Sequence, residues 1–343
     1  DLHQRSVAMH WLRKFCLVQL SRLQGALQPQ FTKKDLSALL LAIIAACQPE
    51  KDLCKTRYGS RTLEDALVLV ADLADEMSAL DFILKWLESD SVKEGVPERL
   101  AILVRQQAMI CATKVAMSGK SRIICSLVRC LHEDSVHIAL TSIKCLGKVA
   151  HRGNLEVVEA LVAKLQVLSQ SKLKWRKSLD DWHAICCSAF DVLAQVAQRG
   201  DPRVISLIDE GRGEFIDDIF SVEDGVYEHK QQEQETAIKA LGLLGKVARK
   251  GDSAAVWTLV FVLKLCEADR AIPVTRLAIQ LLPFVADIWC LRTAFDGLAS
   301  CKDIEPLRAD VQRSVRMLAR GLSHRHLVFH GFIEEFPDLT WPA

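Results

Sequence analysis

Tyrosine and proline are scarce in this chain, with two Tyr and nine Pro in 343 residues, and aromatics make up only 6%. β-rich folds draw on aromatic and β-branched residues, so the dominance of Leu, Ala and Val predicts helix. An excess of one charge is also absent: Lys plus Arg is 44, Asp plus Glu is 43, and the net charge is +1. No global field draws the chain to nucleic acid or an anionic membrane, so any such partner needs a local patch. Long apolar runs are missing too. The longest, Leu36 to Cys47, is broken by Ser37 and falls short of the roughly 20 residues a spanning helix requires.

The twelve cysteines contain no C-x-x-C pair. Most lie inside apolar runs, which suits reduced, buried thiols better than a secreted disulfide framework. The expected setting is intracellular: cytoplasmic first, with organelle and nucleus as alternatives. Leu2 to Lys34 lacks acidic residues and carries Arg5, Arg13, Lys14, Arg22, Lys33 and Lys34. Such a stretch suits either an organelle-targeting segment or a basic terminal helix covering the end of a core, and the second is preferred.

Catalytic signatures are few. There is no Gly-rich phosphate loop, no G-x-S-x-G elbow and no H-E-x-x-H. His132 and Glu133 form a single His-Glu pair. His324, His326 and His330 have metal-compatible spacing only if helical, and Gly321 and Ser323 argue that the helix has ended, leaving a surface cluster. Cys186 and Cys187 would point about 100° apart on a helix, as core and groove thiols. Trp175, Trp182, Trp257 and Trp289 are scattered, which predicts packing roles for most. No catalytic set, metal site or cofactor is assigned, and the chain is read as a non-enzyme.

What the sequence does contain is a repeat. Four segments align without gaps around a glycine: MICATKVAMSGKSRIICSL from Met109, IKCLGKVAHRGNLEVVEAL from Ile143, FDVLAQVAQRGDPRVISLI from Phe190 and LGLLGKVARKGDSAAVWTL from Leu241. Apolar residues three and four apart form one stripe on a helix. The stripe runs up to Gly119, Gly153, Gly200 and Gly251 and resumes beyond them. The glycines are expected at the left-handed C′ position ending the first helix. Asn154, Asp201 and Asp252 are expected N-caps of the second, with Pro202 at its first position. One such hairpin cannot bury its stripes alone, so hairpins must stack.

The predicted fold is therefore all-α: an α-α superhelix, or solenoid, of stacked helical hairpins with atypical terminal caps. Residues 1–96 read as degenerate repeats and an N-terminal cap, with Thr62 to Glu88 as a hairpin lacking the glycine. Residues 97–269 hold the clear repeats. Residues 270–343 read as a divergent repeat and C-terminal cap or tail. There, Pro273 begins a helix, Pro283 is expected to kink it, and Pro306 begins another running to Arg320.

Two insertions lengthen the later repeats, as loops at 169–178 and 209–235. The first is basic, with Lys172, Lys174, Arg176 and Lys177 around Trp175. The second is acidic, with Asp217, Asp218, Glu223 and Asp224 among its carboxylates. Long loops carry function more often than short ones, so these residues are candidate partner contacts. They are equally accounted for as loops that neutralise each other. A basic rim is the other candidate: Arg152, Arg199, Arg203, Arg249 and Lys250 flank the turns. Cations near helix C-termini offset the macrodipole, each by about 0.3–1 kcal/mol. The same rim would serve as an anion-binding ridge. Arg313, Arg316 and Arg320 form a further stripe on the last helix.

The V-A-x-R-G-D motif followed by an apolar helix resembles HEAT repeats, closest to the short glycine-turn subtype of phycobilisome-lyase-like proteins. The resemblance implies an armadillo-like scaffold or adaptor that binds protein partners, within a multi-subunit intracellular assembly. Alternatives are an RNA- or ribonucleoprotein-associated subunit using the basic rim and, from the subtype alone, a lyase-like chromophore handler.

Overall fold

The computed structural model describes residues 98–115, 121–171, 178–216, 227–265 and 271–320, with the single residues 68, 83, 84, 87, 322 and 336. Among the described residues all regular structure is helical, without a strand. No described helix is long and apolar enough to cross a membrane. The chain forms two compact units, Asp1–His151 and Arg152–Ala343.

In the first unit, α1 (Glu98–Val115) and α2 (Ser121–Leu131) both pack on α3 (Val136–Val149). Helix α2 shows why: Ile123, Ile124, Leu127, Cys130 and Leu131 fall on one face and are buried, while Arg122 and Arg129 are exposed. Val68, Ile83, Leu84 and Leu87, within the expected degenerate hairpin, are helical and buried.

The second unit holds α4 (Leu155–Ser171), α5 (Leu179–Val196), α6 (Pro202–Glu210), the short α7 (Arg212–Phe215), α8 (Tyr227–Val247), α9 (Ser253–Lys264), α10 (Ile272–Val285), α11 (Leu291–Ala299) and α12 (Arg308–Ala319). They form two layers. In one, α5 packs on α8, α8 on α10 and α10 on α12. In the other, α4 packs on α6, α6 on α9 and α9 on α11. Across the layers α5 meets α4, α8 meets α6, α10 meets α9 and α12 meets α11.

Both expected insertions are partly helix. Helix α4 continues to Ser171, and Ser178 already caps α5. Of the expected loop 209–235, Arg212–Phe215 is helical and α8 begins at Tyr227. Phe215 and Ile216 are buried. The Phe215 ring lies 6.0 Å from Trp182 and 5.3 Å from Phe190. An aromatic centre that plugs the core is no spacer; deleting a buried Phe side chain typically costs about 3–5 kcal/mol. Gly211 caps the end of α6.

Pro283 also departs from expectation, because α10 runs through it to Val285. Proline lacks the N–H that would reach the carbonyl of Ile279. That carbonyl instead accepts the Ser314 hydroxyl of α12 at 2.9 Å, so a neighbouring helix fills the vacancy.

Candidate functional site

The turns that follow α3, α5 and α8 share one construction. Helices α3, α5 and α8 end at Val149, Val196 and Val247. Ala150, Ala197 and Ala248 follow and donate their N–H groups to Leu146, Leu193 and Leu244 at 2.8–2.9 Å. The glycine comes three residues later, with φ of +88° at Gly153, +83° at Gly200 and +88° at Gly251. The positive φ matches the sequence reading; the position does not. Ala150 and Ala197 cap their helices in an extended conformation, and each glycine stands directly before the N-cap of the second helix. Those caps are as expected: Asn154, Asp201 and Asp252 accept N–H bonds from Val157, Arg203 and Ala255 at 3.1–3.2 Å.

Each glycine is also an inter-turn contact. Gly153 donates its N–H to the Val196 carbonyl at 2.6 Å, Gly200 to Val247 at 2.5 Å, and Gly251 to Val285 at 2.7 Å. A β-carbon there would strike the side chains of Gln198, Arg249 and Asp287 respectively. Successive turns therefore adjoin along one edge.

A fourth turn continues the series without a glycine. Val285 and Ala286 end α10 in the same way, with Ala286 N–H on Leu282 at 2.9 Å. Trp289 then occupies the glycine position. Its N–H, at 3.0 Å, and that of Cys290, at 3.2 Å, go to the carboxylate of Asp287. Trp289 is 86% exposed and Ile288 64%, which overturns a packing role for this tryptophan. Trp257 on α9 is likewise exposed, whereas Trp182 is buried and donates to the Leu168 carbonyl at 3.1 Å. A search keyed on glycine misses this turn; the Val-Ala pair is the signal that finds it.

The five rim cations do not share one environment. Arg152, Arg199, Arg249 and Lys250 are exposed and form no ion pair with a described carboxylate. Arg199 Nε donates to Ala248 O, and Arg249 Nε to Arg199 O, both at 3.2 Å. Arg203 does not belong with them. Its guanidinium pairs with Asp201 at 2.9 Å and Glu159 at 2.6 Å, and the bond to Asp201 chiefly raises its pKa. Arg313 and Arg316 on α12, and Arg320 at its C-cap, are exposed.

The α4–α6–α9 face offers a second surface. Leu155, Val167 and Trp257 are exposed on it. A groove between α4 and α6 is lined by Glu159, Val162, Ala163, Pro202, Ser206 and Glu210, among others. The insertion candidates Lys172, Lys174, Trp175, Arg176, Lys177, Asp217, Asp218, Glu223 and Asp224 lie outside the described residues, as do His324, His326 and His330.

The buried polar groups are structural in geometry. Glu133 of the His-Glu pair receives both terminal nitrogens of Arg105, a residue 7% exposed. Burial, the largest single influence, lowers the Arg105 pKa, but the hydrogen bonds and charges of Glu133 and Cys130 together turn the net shift upward. His183 Nδ1 lies 2.8 Å from the Thr236 hydroxyl, which Cys187 approaches at 3.5 Å. Eight described cysteines are free thiols. Burial raises the Cys130 and Cys187 pKa values and pushes Cys145 up to about 12. Such thiols are poor nucleophiles. Among the described residues no His, Cys, Asp or Glu group is arranged to hold a metal ion. No protein-family model matches this chain, and no curated protein matches it either.

Proposed function

We propose that this chain is a non-enzymatic scaffold, an α-solenoid of the HEAT-repeat kind that holds protein partners within an intracellular assembly. The observation that carries the reading is the two-layer order of the helices from α4 to α12, the short α7 apart, in which each helix packs on the next of its own layer. Such an array grows by adding like units and presents an extended surface, the usual basis of partner binding in helical repeats. The α4–α6–α9 layer supports it: Leu155 and Val167 on α4 and Trp257 on α9 are exposed, and a groove lies between α4 and α6. Exposed Trp is a common interface anchor, and bulky apolar groups left in water at several points of one face suit a polypeptide partner.

The test is affinity purification from the native cell, comparing the chain with Leu155→Ser and Trp257→Ser variants of unchanged melting midpoint. The expected result is a stable protein partner set that both variants deplete. Retention of the same partners by both would remove this face from the reading.

A further inference from the structure

The turn edge carries two features that the scaffold reading does not use: a row of exposed cations without a described carboxylate partner, and an apolar tip. Aligning the four turns on the Val-Ala helix ends brings out their relation. In the column before the glycine stand Arg152, Arg199 and Lys250, and the fourth turn places Ile288 there. In the column five residues before it stand Gln195 and Lys246, both exposed, and the fourth turn places Phe284 there. In the glycine column the fourth turn places Trp289. All three positions of the last turn have thus become bulky and apolar, with Phe284 59% exposed beside its more exposed neighbours Ile288 and Trp289. These three fall within six consecutive residues. Because the Gly251 N–H binds Val285 and Asp287 lies over Gly251, the tip adjoins the turn bearing Arg249 and Lys250.

We propose that this edge docks on an anionic lipid surface, with Phe284, Ile288 and Trp289 entering the headgroup region and Arg152, Arg199, Arg249 and Lys250 facing lipid phosphates. The chain as a whole is almost neutral, so attraction has to come from a local row such as this one. The tip protrudes from a turn instead of lining a groove. Lipid closes around a protruding side chain of any shape, whereas a folded partner needs a matching pocket. Tryptophan favours the membrane interface. Weak apolar insertion combined with a basic patch is a two-signal anchor, in which neither part suffices alone. Adjoining turns set the cations about 10 Å apart, a spacing suited to a continuous anionic plane. The proposal is independent of the scaffold reading and engages a different face.

The test is co-sedimentation of the full chain with mixed phosphatidylcholine–phosphatidylserine vesicles and with pure phosphatidylcholine vesicles. Binding is expected for the first and near-absence for the second. Trp289→Ser should weaken it about tenfold, and each of Arg199→Glu and Lys250→Glu at least about fivefold. Trp257→Ser, on the other face, should bind like the parent. Trp289→Phe keeps an apolar tip and serves as the folding control: it should retain binding while losing most of the fluorescence quenching by brominated lipid. Absence of binding to the anionic vesicles overturns the proposal, as does binding indifferent to Trp289→Ser and to the charge reversals. Tight binding of a polyuridine oligonucleotide that depends on the cations but not on Trp289, without vesicle binding, would assign the edge to nucleic acid. Equivalent binding of polyglutamate would assign it to an acidic polypeptide.

Discussion

At Gly153, Gly200 and Gly251 the backbone N–H reaches forward to the ends of α5, α8 and α10, whereas at Trp289 it folds back onto Asp287 of its own turn. The helix ends before these turns are alike, each a Val-Ala pair with the alanine N–H bonded four residues back. The difference therefore does not lie in how a helix stops. It lies in whether another turn is laid over the residue that follows. Where Gln198, Arg249 or Asp287 covers the preceding turn, only glycine fits and φ is positive. At the fourth turn a tryptophan is accommodated without positive φ, since no described non-glycine residue adopts one.

The sharpest way to break this contrast is to place side chains on the covered glycines. Gly200→Val and Gly251→Val should each destabilise by on the order of 1–2 kcal/mol from the left-handed φ, with collision against Arg249 or Asp287 adding to that. Chemical denaturation reads the loss, and an unchanged midpoint for both would refute the positive φ. Asp287→Ala comes next, at about 1 kcal/mol, because two backbone N–H groups lose their acceptor. It also clears the space over Gly251, so Gly251→Ala should cost less in that background than in the parent, a coupling that a double-mutant cycle measures. Trp289→Gly should change stability by no more than about 0.5 kcal/mol, since nothing at that turn requires or forbids a side chain.

A chemical probe makes the last and smallest comparison. The Cys290 thiol is raised first by burial and then by the Asp287 carboxylate. Asp287→Ala removes one of these causes, so alkylation at Cys290 near pH 8 should accelerate, as read by peptide mass spectrometry. Cys145, held up to about 12 by burial, should stay unmodified in both native proteins. Its folded-state pKa lies above the unfolded value near 9. Its contribution to stability is thus complete below that value and is lost as pH rises toward 12.

The hairpin grammar was legible in the residues because it is local: a stripe at helical spacing, a glycine, and an Asn or Asp cap. The glycine's role was misplaced because its reason is not local. Its N–H acceptor and the side chain that covers it come from the next repeat, and nothing within a single repeat announces them. The same holds for Arg203, read as a rim cation, whose partner Glu159 lies on α4. Pro283 defied its local rule because Ser314 of α12 binds the freed carbonyl. The acidic insertion looked like loop by composition, yet Phe215 and Ile216 within it are core. The apolar tip escaped notice because the fourth turn lacks the residue on which the repeat was aligned.

The forward direction of the glycine bonds has a consequence for isotope exchange. The amide proton of Gly200 is shielded by a carbonyl at the end of α8, not by anything within its own hairpin. Exchange at that amide therefore clocks the opening of the repeat that follows. Read at Gly153, Gly200 and Gly251 in turn, three protons monitor three successive helix ends: those of α5, α8 and α10. Deuterium uptake at these glycines would report whether the array opens from its far end or all at once.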